Sequence, residues 1–164
     1  MAEYQSRGLY FEDLEAANGL ELVSAGRTIS ESDIMLFAGL SGDWNPMHVD
    51  AEYAKMHPFG ERVAHGLLIM AIASGLAAQL GFMDRTVEAF RQVDNWKMRL
   101  PVKIGDTVHI TAKVVSTRAV RRTGGLVIFA VSVLNQEDKV VQEGKWIMFV
   151  RNKLKVIREG SVAN

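Results

Sequence analysis

One short segment of this sequence carries both an acidic side chain and an imidazole close together. Residues 41–50 read SGDWNPMHVD and place Asp43 five positions before His48. A histidine has an ordinary pKa of about 6.5, so it takes up or releases a proton near neutral pH. A carboxylate beside it accepts hydrogen bonds. We therefore expect the pair to hold and polarise one water molecule and to move its proton.

The residues between the pair favour a rigid bend. Pro46 fixes its own φ and biases Asn45 away from helical backbone, while the Asn45 amide can bond to the loop. Two alternatives stay open on residue types alone. One is a plain turn with a local bond at Asp43 and an exposed histidine. The other is a metal site, but it would need His57 or His65 and matches no zinc spacing, so we expect no metal and no cofactor.

The composition fits one globular domain over residues 1–164, with 48% hydrophobic and 23% charged residues. The net charge is zero, so no excess of basic residues points to nucleic acid as a partner. There is no cysteine, which excludes disulfides, a thiol nucleophile and a cysteine zinc site. Residues 1–15 lack the apolar core of a signal peptide. Together these features favour the cytoplasm.

The first half of the chain predicts mainly helices. Residues 1–19 are interpreted as an irregular lead-in and residues 20–29 as a first strand. A helix should begin after Ser30, with Asp33 completing a weaker capping box. Asp50 is expected to cap a short second helix. The apolar run 66–82 is too short to span a membrane and predicts a helix buried on all sides, so we expect no membrane contact.

The second half predicts strands at 86–99, 107–117, 125–135 and 140–150, followed by a tail over 151–164. Residues 107–115 alternate apolar and polar side chains. Residues 125–134 are apolar on both faces, which favours a central strand or an interface strand. Short turns imply antiparallel neighbours. The result is an α+β fold with about five antiparallel strands around one long helix. Its open edge or face predicts pairing through the sheet into a homo-oligomer.

Residues 37–54 resemble the signature of the MaoC-like dehydratases, the family of R-specific enoyl-CoA hydratases. That signature is an aromatic residue, a small residue, then Gly-Asp-x-Asn-Pro-x-His and a later small residue. The matching positions are Phe37, Ser41, Gly42, Asp43, Asn45, Pro46, His48 and Ala54. The runs RVAHGLLIMAIASGL and NWKMRLPVKIGDTV resemble two further family blocks. The resemblance therefore covers roughly residues 20–150.

The resemblance implies a hot-dog fold, usually dimeric, that adds water to a trans-2-enoyl-CoA in the syn sense. It implies that Asp43 and His48 hold the catalytic water and that Gly66 and Ser74, with Asn45, serve substrate binding. A helix start also suits a developing thioester anion on physical grounds, because its N–H groups are free. The alternatives are close packing at Gly66 and a core Ser74 bonded to its own helix.

Several alternatives remain open at this point. A hot-dog thioesterase would need a carboxylate on or near the long helix, and residues 66–80 contain none. A non-catalytic acyl-thioester-binding or structural subunit is the other candidate. His65 is interpreted as a hydrogen-bonding neighbour of the active loop. Trp44 packs on the loop or borders the acyl pocket, with packing favoured. Met70, Met83 and Met98 line an acyl tunnel or belong to the core. The acyl group and its carrier are left undetermined.

Overall fold

A sheet of six antiparallel strands forms the framework of the chain. The computed structural model describes residues 8–17, 19–121 and 123–153. In these residues the strand order is β1-β4-β5-β6-β3, and β2 pairs with the beginning of β4. The strands are β1 (Glu21–Val23), β2 (Arg27–Thr28), β3 (Val87–Met98), β4 (Thr107–Arg121), β5 (Gly124–Leu134) and β6 (Val140–Arg151). The predicted antiparallel α+β architecture is confirmed.

The alternation predicted from the sequence sets which face of the sheet is buried. On β4, the apolar side chains of every second residue are at most 1% exposed: Val108, Ile110, Ala112 and Val114. Strand β5 lies between β4 and β6, as its apolar character on both faces predicted. Its alternate residues enter the same core, namely Val127, Phe129, Val131 and Val133. The core therefore lies on one face of the sheet.

A 14-residue helix, α5 (Gly66–Gln79), covers this core. Six of its residues are buried: Leu68, Ile69, Ile72, Ala73, Leu76 and Ala77. The opposite face is open, and Leu67 is 62% exposed. The prediction of a helix buried on all sides is therefore wrong for the single chain, because one sheet can cover only one side of it. Within the described ranges, no helix has the length and apolar character needed to cross a membrane.

The N-terminal part corrects two predictions. The lead-in contains a helix, α1 (Phe11–Ala16), whose Phe11 and Leu14 are buried, with the Phe11 ring lying on Gly125 of β5. Packing against the sheet thus stabilises a helix too short to be stable alone. The single strand predicted over 20–29 is instead two, β1 and β2. At Ser24 the backbone N–H still donates to the Ile110 carbonyl at 3.0 Å, but the Ile110 N–H donates to Ser24 Oγ at 3.0 Å and not to a backbone carbonyl.

Three short helices precede the core helix. Helix α2 (Glu31–Ser41) has the predicted capping box between Ser30 and Asp33. The next segment was predicted to be a loop. It contains instead the one-turn helix α3 (Pro46–Val49). Asp50 caps α4 (Ala51–Met56), and its Oδ1 accepts from two backbone N–H groups, as the sequence indicated. The part of the predicted C-terminal tail over 154–164 lies outside the described residues.

Candidate active site

The turn between α2 and α3 presents Asp43. Helix α2 ends at Gly42, whose φ of 79° lies in the left-handed region that glycine adopts without strain. Asp43 follows, exposed, and its Oδ1 accepts from the Asn45 N–H at 3.2 Å. Asn45 caps α3 by accepting from the Met47 N–H at 3.3 Å, and Pro46 occupies the first helical position. These local bonds hold the bend that the residue types indicated.

His48 lies at the buried end of the same turn with a defined tautomer. Its ring is only 8% exposed, and Nδ1 lies 2.7 Å from the carbonyl oxygen of Val63. Because a carbonyl oxygen can only accept, Nδ1 must carry the hydrogen and donate it. In the neutral ring, Nε2 is then an unprotonated acceptor. The alternative of an exposed histidine in a plain turn is therefore wrong.

Burial lowers the pKa of His48 below its ordinary value of 6.5, because the charged ring loses solvation. The nearby His65 lowers this pKa further, while the bond to Val63 and the charge of Asp43 act in the opposite direction. A lowered pKa favours the neutral ring at neutral pH. His48 is thus held in the form that can take a proton at Nε2.

His65 joins the pair as a third side chain. It is 2% exposed, its Nε2–H donates to the Asp43 carbonyl oxygen at 2.9 Å, and its ring stacks on His48 with 3.8 Å between centroids. The prediction that His65 is a hydrogen-bonding neighbour of the loop is confirmed. His65 is also the N-cap of α5. It therefore ties the start of the core helix to the turn that presents Asp43.

The three side chains form a compact group of acid and imidazole atoms. One nitrogen or carboxylate oxygen from each of Asp43, His48 and His65 lies within 4.8 Å of the others. A group of this composition also has the donor types of a metal site. Two of the four ring nitrogens already have partners, because His48 Nδ1 faces the Val63 carbonyl and His65 Nε2 faces the Asp43 carbonyl. One acceptor nitrogen is left on each ring.

An apolar cavity opens beside His48. It has a volume of about 350 Å³, and its lining combines His48 and Gly66 with the side chains of β3, β6 and the 59–64 and 99–102 segments. Most of the lining is hydrocarbon, including Met47, Phe59, Val63, Ile69, Met98, Leu100 and Val102. Met98 lies so close to Gly66 that a side chain at residue 66 would collide with its thioether sulfur. Size and lining are those of a small-molecule site.

Gly66 opens α5 at the edge of this cavity. Its N-cap, His65, makes no side-chain bond to the first N–H groups of the helix. These N–H groups have no partner inside the helix, so they attract negative charge from a ligand. The structure therefore brings Gly66 and His48 to the same cavity.

Ser74 is placed elsewhere. Its Oγ donates to the Ala71 carbonyl at 2.7 Å on the exposed face of α5, and it does not line the cavity. This self-bond is the alternative the sequence left open, although the residue is exposed and not in the core. A part for Ser74 in substrate binding stays a prediction. Trp44 is 53% exposed and likewise does not line the cavity.

Two cavity residues escaped the sequence analysis. Gln142 of β6 is 2% exposed, and its Nε2 donates to the Gly66 carbonyl at 2.8 Å. Arg99 lines the cavity and pairs with Glu143, its Nε lying 2.9 Å from the carboxylate. Gln142 belongs to no local motif, and only the register of β6 on β3 would have revealed it. Arg99 lies within the run NWKMRLPVKIGDTV, but nothing in that run indicates that its side chain borders a cavity.

Comparison with known proteins gives consistent matches. The model of the MaoC-like domain family matches residues 15–136. An (R)-specific enoyl-CoA hydratase of Rhodospirillum rubrum is 44% identical over 105 residues, which are 64% of this chain and 69% of that protein. A 3-hydroxybutyryl-CoA dehydratase of Methylorubrum extorquens is 35% identical over 147 residues, covering 90% of this chain and 87% of the relative.

Solved structures agree in fold. A monoamine oxidase regulatory protein of Archaeoglobus fulgius superposes with a TM-score of 0.83 at 33% identity, covering 91% of this chain and 99% of the other. A Mycobacterium tuberculosis protein described as having a double hot-dog fold gives 0.80 at 19% identity, covering 97% of this chain and 48% of that one. The predicted hot-dog fold is confirmed.

Proposed function

The chain belongs to the MaoC-like domain family, and two of its relatives are named as an (R)-specific enoyl-CoA hydratase and a 3-hydroxybutyryl-CoA dehydratase. On that premise we propose that it is an R-specific enoyl-CoA hydratase. Run in reverse, the same reaction makes it a 3-hydroxyacyl-CoA dehydratase. The observation that carries the proposal is the buried ring of His48. Its unprotonated Nε2 lies in a group with Asp43 beside an apolar cavity.

Asp43 and His48 share one water molecule in the proposed reaction. The water oxygen adds to C3 of the enoyl group while Nε2 of His48 takes one of its protons. The imidazolium then returns that proton to C2 on the same face, so one water is consumed and the ring is restored. Asp43 accepts a hydrogen bond from the second hydrogen, which stays on the oxygen, and its negative charge stabilises the transient imidazolium. Addition of both atoms from one side is syn addition, and the R-3-hydroxyacyl thioester forms when the enoyl group turns the matching face of C3 toward the pair.

Negative charge develops on the thioester oxygen as water adds to C3. We assign its stabilisation to the N–H of Gly66, at the start of α5, because this group is free of a cap and borders the cavity. The acyl chain then occupies the apolar cavity beside Met98 and Ile69. No cofactor is required, since water and the thioester supply all reacting atoms. The predicted cytoplasmic location stays a prediction.

A hydration assay tests the proposal directly. Purified protein mixed with crotonyl-CoA should remove the absorbance of the conjugated enoyl thioester and yield R-3-hydroxybutyryl-CoA, with no free thiol. Longer and branched enoyl-CoAs, and an enoyl-acyl carrier protein, complete the panel. Reactions without protein give the background. The S product, or loss of absorbance that depends on added cofactor, would contradict the proposed chemistry.

The same assay separates the competing functions. Release of free thiol from an acyl-CoA would identify a thioesterase, for which the described residues offer no carboxylate among those lining the cavity. Tight binding of acyl-CoA with no turnover across the panel would identify a non-catalytic binding or structural subunit. The intact Asp43 and His48 favour the enzyme over this last reading.

We also propose that two copies pair through the open face of α5. This face consists of Leu67, Ala71, Ser74, Gly75 and Ala78, which are exposed and mostly small, so a second surface can approach closely. The double hot-dog relative is matched over 48% of its length, so two copies of this chain would correspond to it. Ser74 would then be covered by the partner.

The pairing predicts a particle of twice the 18.2 kDa chain mass in sedimentation or light scattering. Gly75→Arg should lower this mass, because a side chain at residue 75 meets no atom within 4 Å inside one chain and so disturbs only a covering partner. The wild-type protein at the same concentration is the reference. A single-chain mass for wild type, or an unchanged mass for the variant, would contradict the proposal.

A further inference from the structure

Gln142 is a buried polar residue that the mechanism above leaves unused. It lies on β6 in the lining of the cavity, and only 2% of it is exposed. Burial of an amide is costly unless both its donor and its acceptor are bonded. An apolar residue would fill this position at lower cost if packing were its only purpose. The hydrogen bonds that the amide makes therefore indicate its role.

Both ends of the Gln142 amide are bonded. The indole N–H of Trp96 donates to Oε1 at 3.0 Å, and Nε2 donates to the Gly66 carbonyl at 2.8 Å. Because an indole N–H can only donate, the amide oxygen must face Trp96. The amide nitrogen must then face Gly66, whose carbonyl can only accept. Trp96 thus fixes the orientation of Gln142.

The residue that Gln142 holds is the first of α5. Gly66 supplies the N–H that we assign to the thioester oxygen, and its carbonyl is tied to β6 by Gln142. On the turn side, the N-cap His65 is tied to the Asp43 carbonyl. The start of the helix is therefore fixed from two directions. One bond sets its position relative to the catalytic turn and the other relative to the sheet.

We propose that Gln142, oriented by Trp96, is a positioning residue that holds the Gly66 N–H where charge develops on the thioester oxygen. The proposal rests on the proposed hydratase function. A donor of this kind acts only if it is already aimed at the oxyanion, since a small displacement weakens it steeply. Loss of the Gln142 bond should therefore slow turnover much more than it weakens substrate binding.

The test compares Gln142→Met with Gln142→Glu. Methionine is similar in size but has no N–H, so kcat should fall by about 10- to 100-fold with KM little changed. An ionised glutamate can accept from Trp96 but cannot donate to Gly66, whereas the protonated acid can do both. Turnover by Gln142→Glu, divided by that of wild type, should therefore rise as pH is lowered. Gln142→Met should show no such rise.

Melting curves of each variant show whether the fold is intact, and a third variant tests the orientation of the amide. Trp96→Phe keeps the ring but removes the N–H that orients the amide, so its kcat should fall less than that of Gln142→Met. Unchanged turnover in Gln142→Met, or a flat ratio for Gln142→Glu, would overturn the positioning role. Wild-type protein inactive on every enoyl thioester would overturn the proposed function and this role with it. If the wild type is active and Gln142→Met is equally active, the positioning role of Gln142 is overturned and the proposed hydratase function stands.

Discussion

Replacing Asp43 by asparagine should lower the rate of enoyl-CoA hydration by about 10²- to 10⁴-fold, the range found for a group that assists proton transfer. The amide has the same shape, and its oxygen can still accept from the Asn45 N–H, so the turn is retained. What is lost is the negative charge that orients the water and stabilises charged His48. The measurement is kcat on crotonyl-CoA, with a melting curve to show that the fold is intact.

Asp50→Asn is the matched control for this prediction. Asp50 lies seven residues further on and caps α4 by accepting from the N–H groups of Glu52 and Tyr53. Asparagine caps helices about as well as aspartate, so this variant should keep wild-type turnover. If Asp43→Asn were as active as Asp50→Asn, the catalytic role of Asp43 would be refuted.

Replacing His48 by asparagine should have an effect of similar size, about 10²- to 10⁴-fold on kcat. The asparagine amide nitrogen can take the place of Nδ1 and donate to the Val63 carbonyl, so the local bond is retained. Nothing then occupies the position of Nε2, and the water has no proton acceptor. His109→Asn is the same substitution on β4, outside the cavity lining, and should leave turnover unchanged.

The pH profile gives the His48 prediction a second readout. Turnover needs the neutral ring, and burial lowers the pKa of His48, so kcat/KM should fall on the acid side only below pH 6.5. The charge of Asp43 raises the pKa of His48. In Asp43→Asn this pKa should therefore be lower, and the residual activity should begin to fall only at a still lower pH. An acid limb centred above 6.5, or unchanged in His48→Asn, would exclude His48 as the titrating base.

The proximity of Asp43 and His48 could be predicted from sequence because the geometry is local. Asp43 and His48 are five residues apart, and Asn45 and Pro46 between them determine the turn by their own backbone preferences. The strands were predictable for a similar reason. Alternation along β4 follows directly from burial of one face of a sheet, and the apolar run of β5 agrees with its position between β4 and β6.

What the sequence did not predict depends on contacts between distant residues. Helix α1 forms because Phe11 and Leu14 pack on the sheet, which no local pattern encodes. The sequence predicted burial of every face of α5, but one chain leaves one of these faces exposed. The hydrophobicity of a helix does not show which surface covers each of its faces. Gln142 lies 76 residues from Gly66, so its part in the site becomes visible only with the register of the sheet.

Because Gln142 lies 76 residues after Gly66, it is synthesised much later on the ribosome than the helix start that it holds. The catalytic turn and the core helix emerge early, while β6, which carries Gln142, is the last described strand to be synthesised. Pairings between distant segments form slowly because their loops must first close. A nascent chain that ends before Val140 already contains Asp43, His48 and Gly66 but lacks the strand that holds the helix start. The start of α5 therefore gains its bond to Gln142 only after β6 has been synthesised.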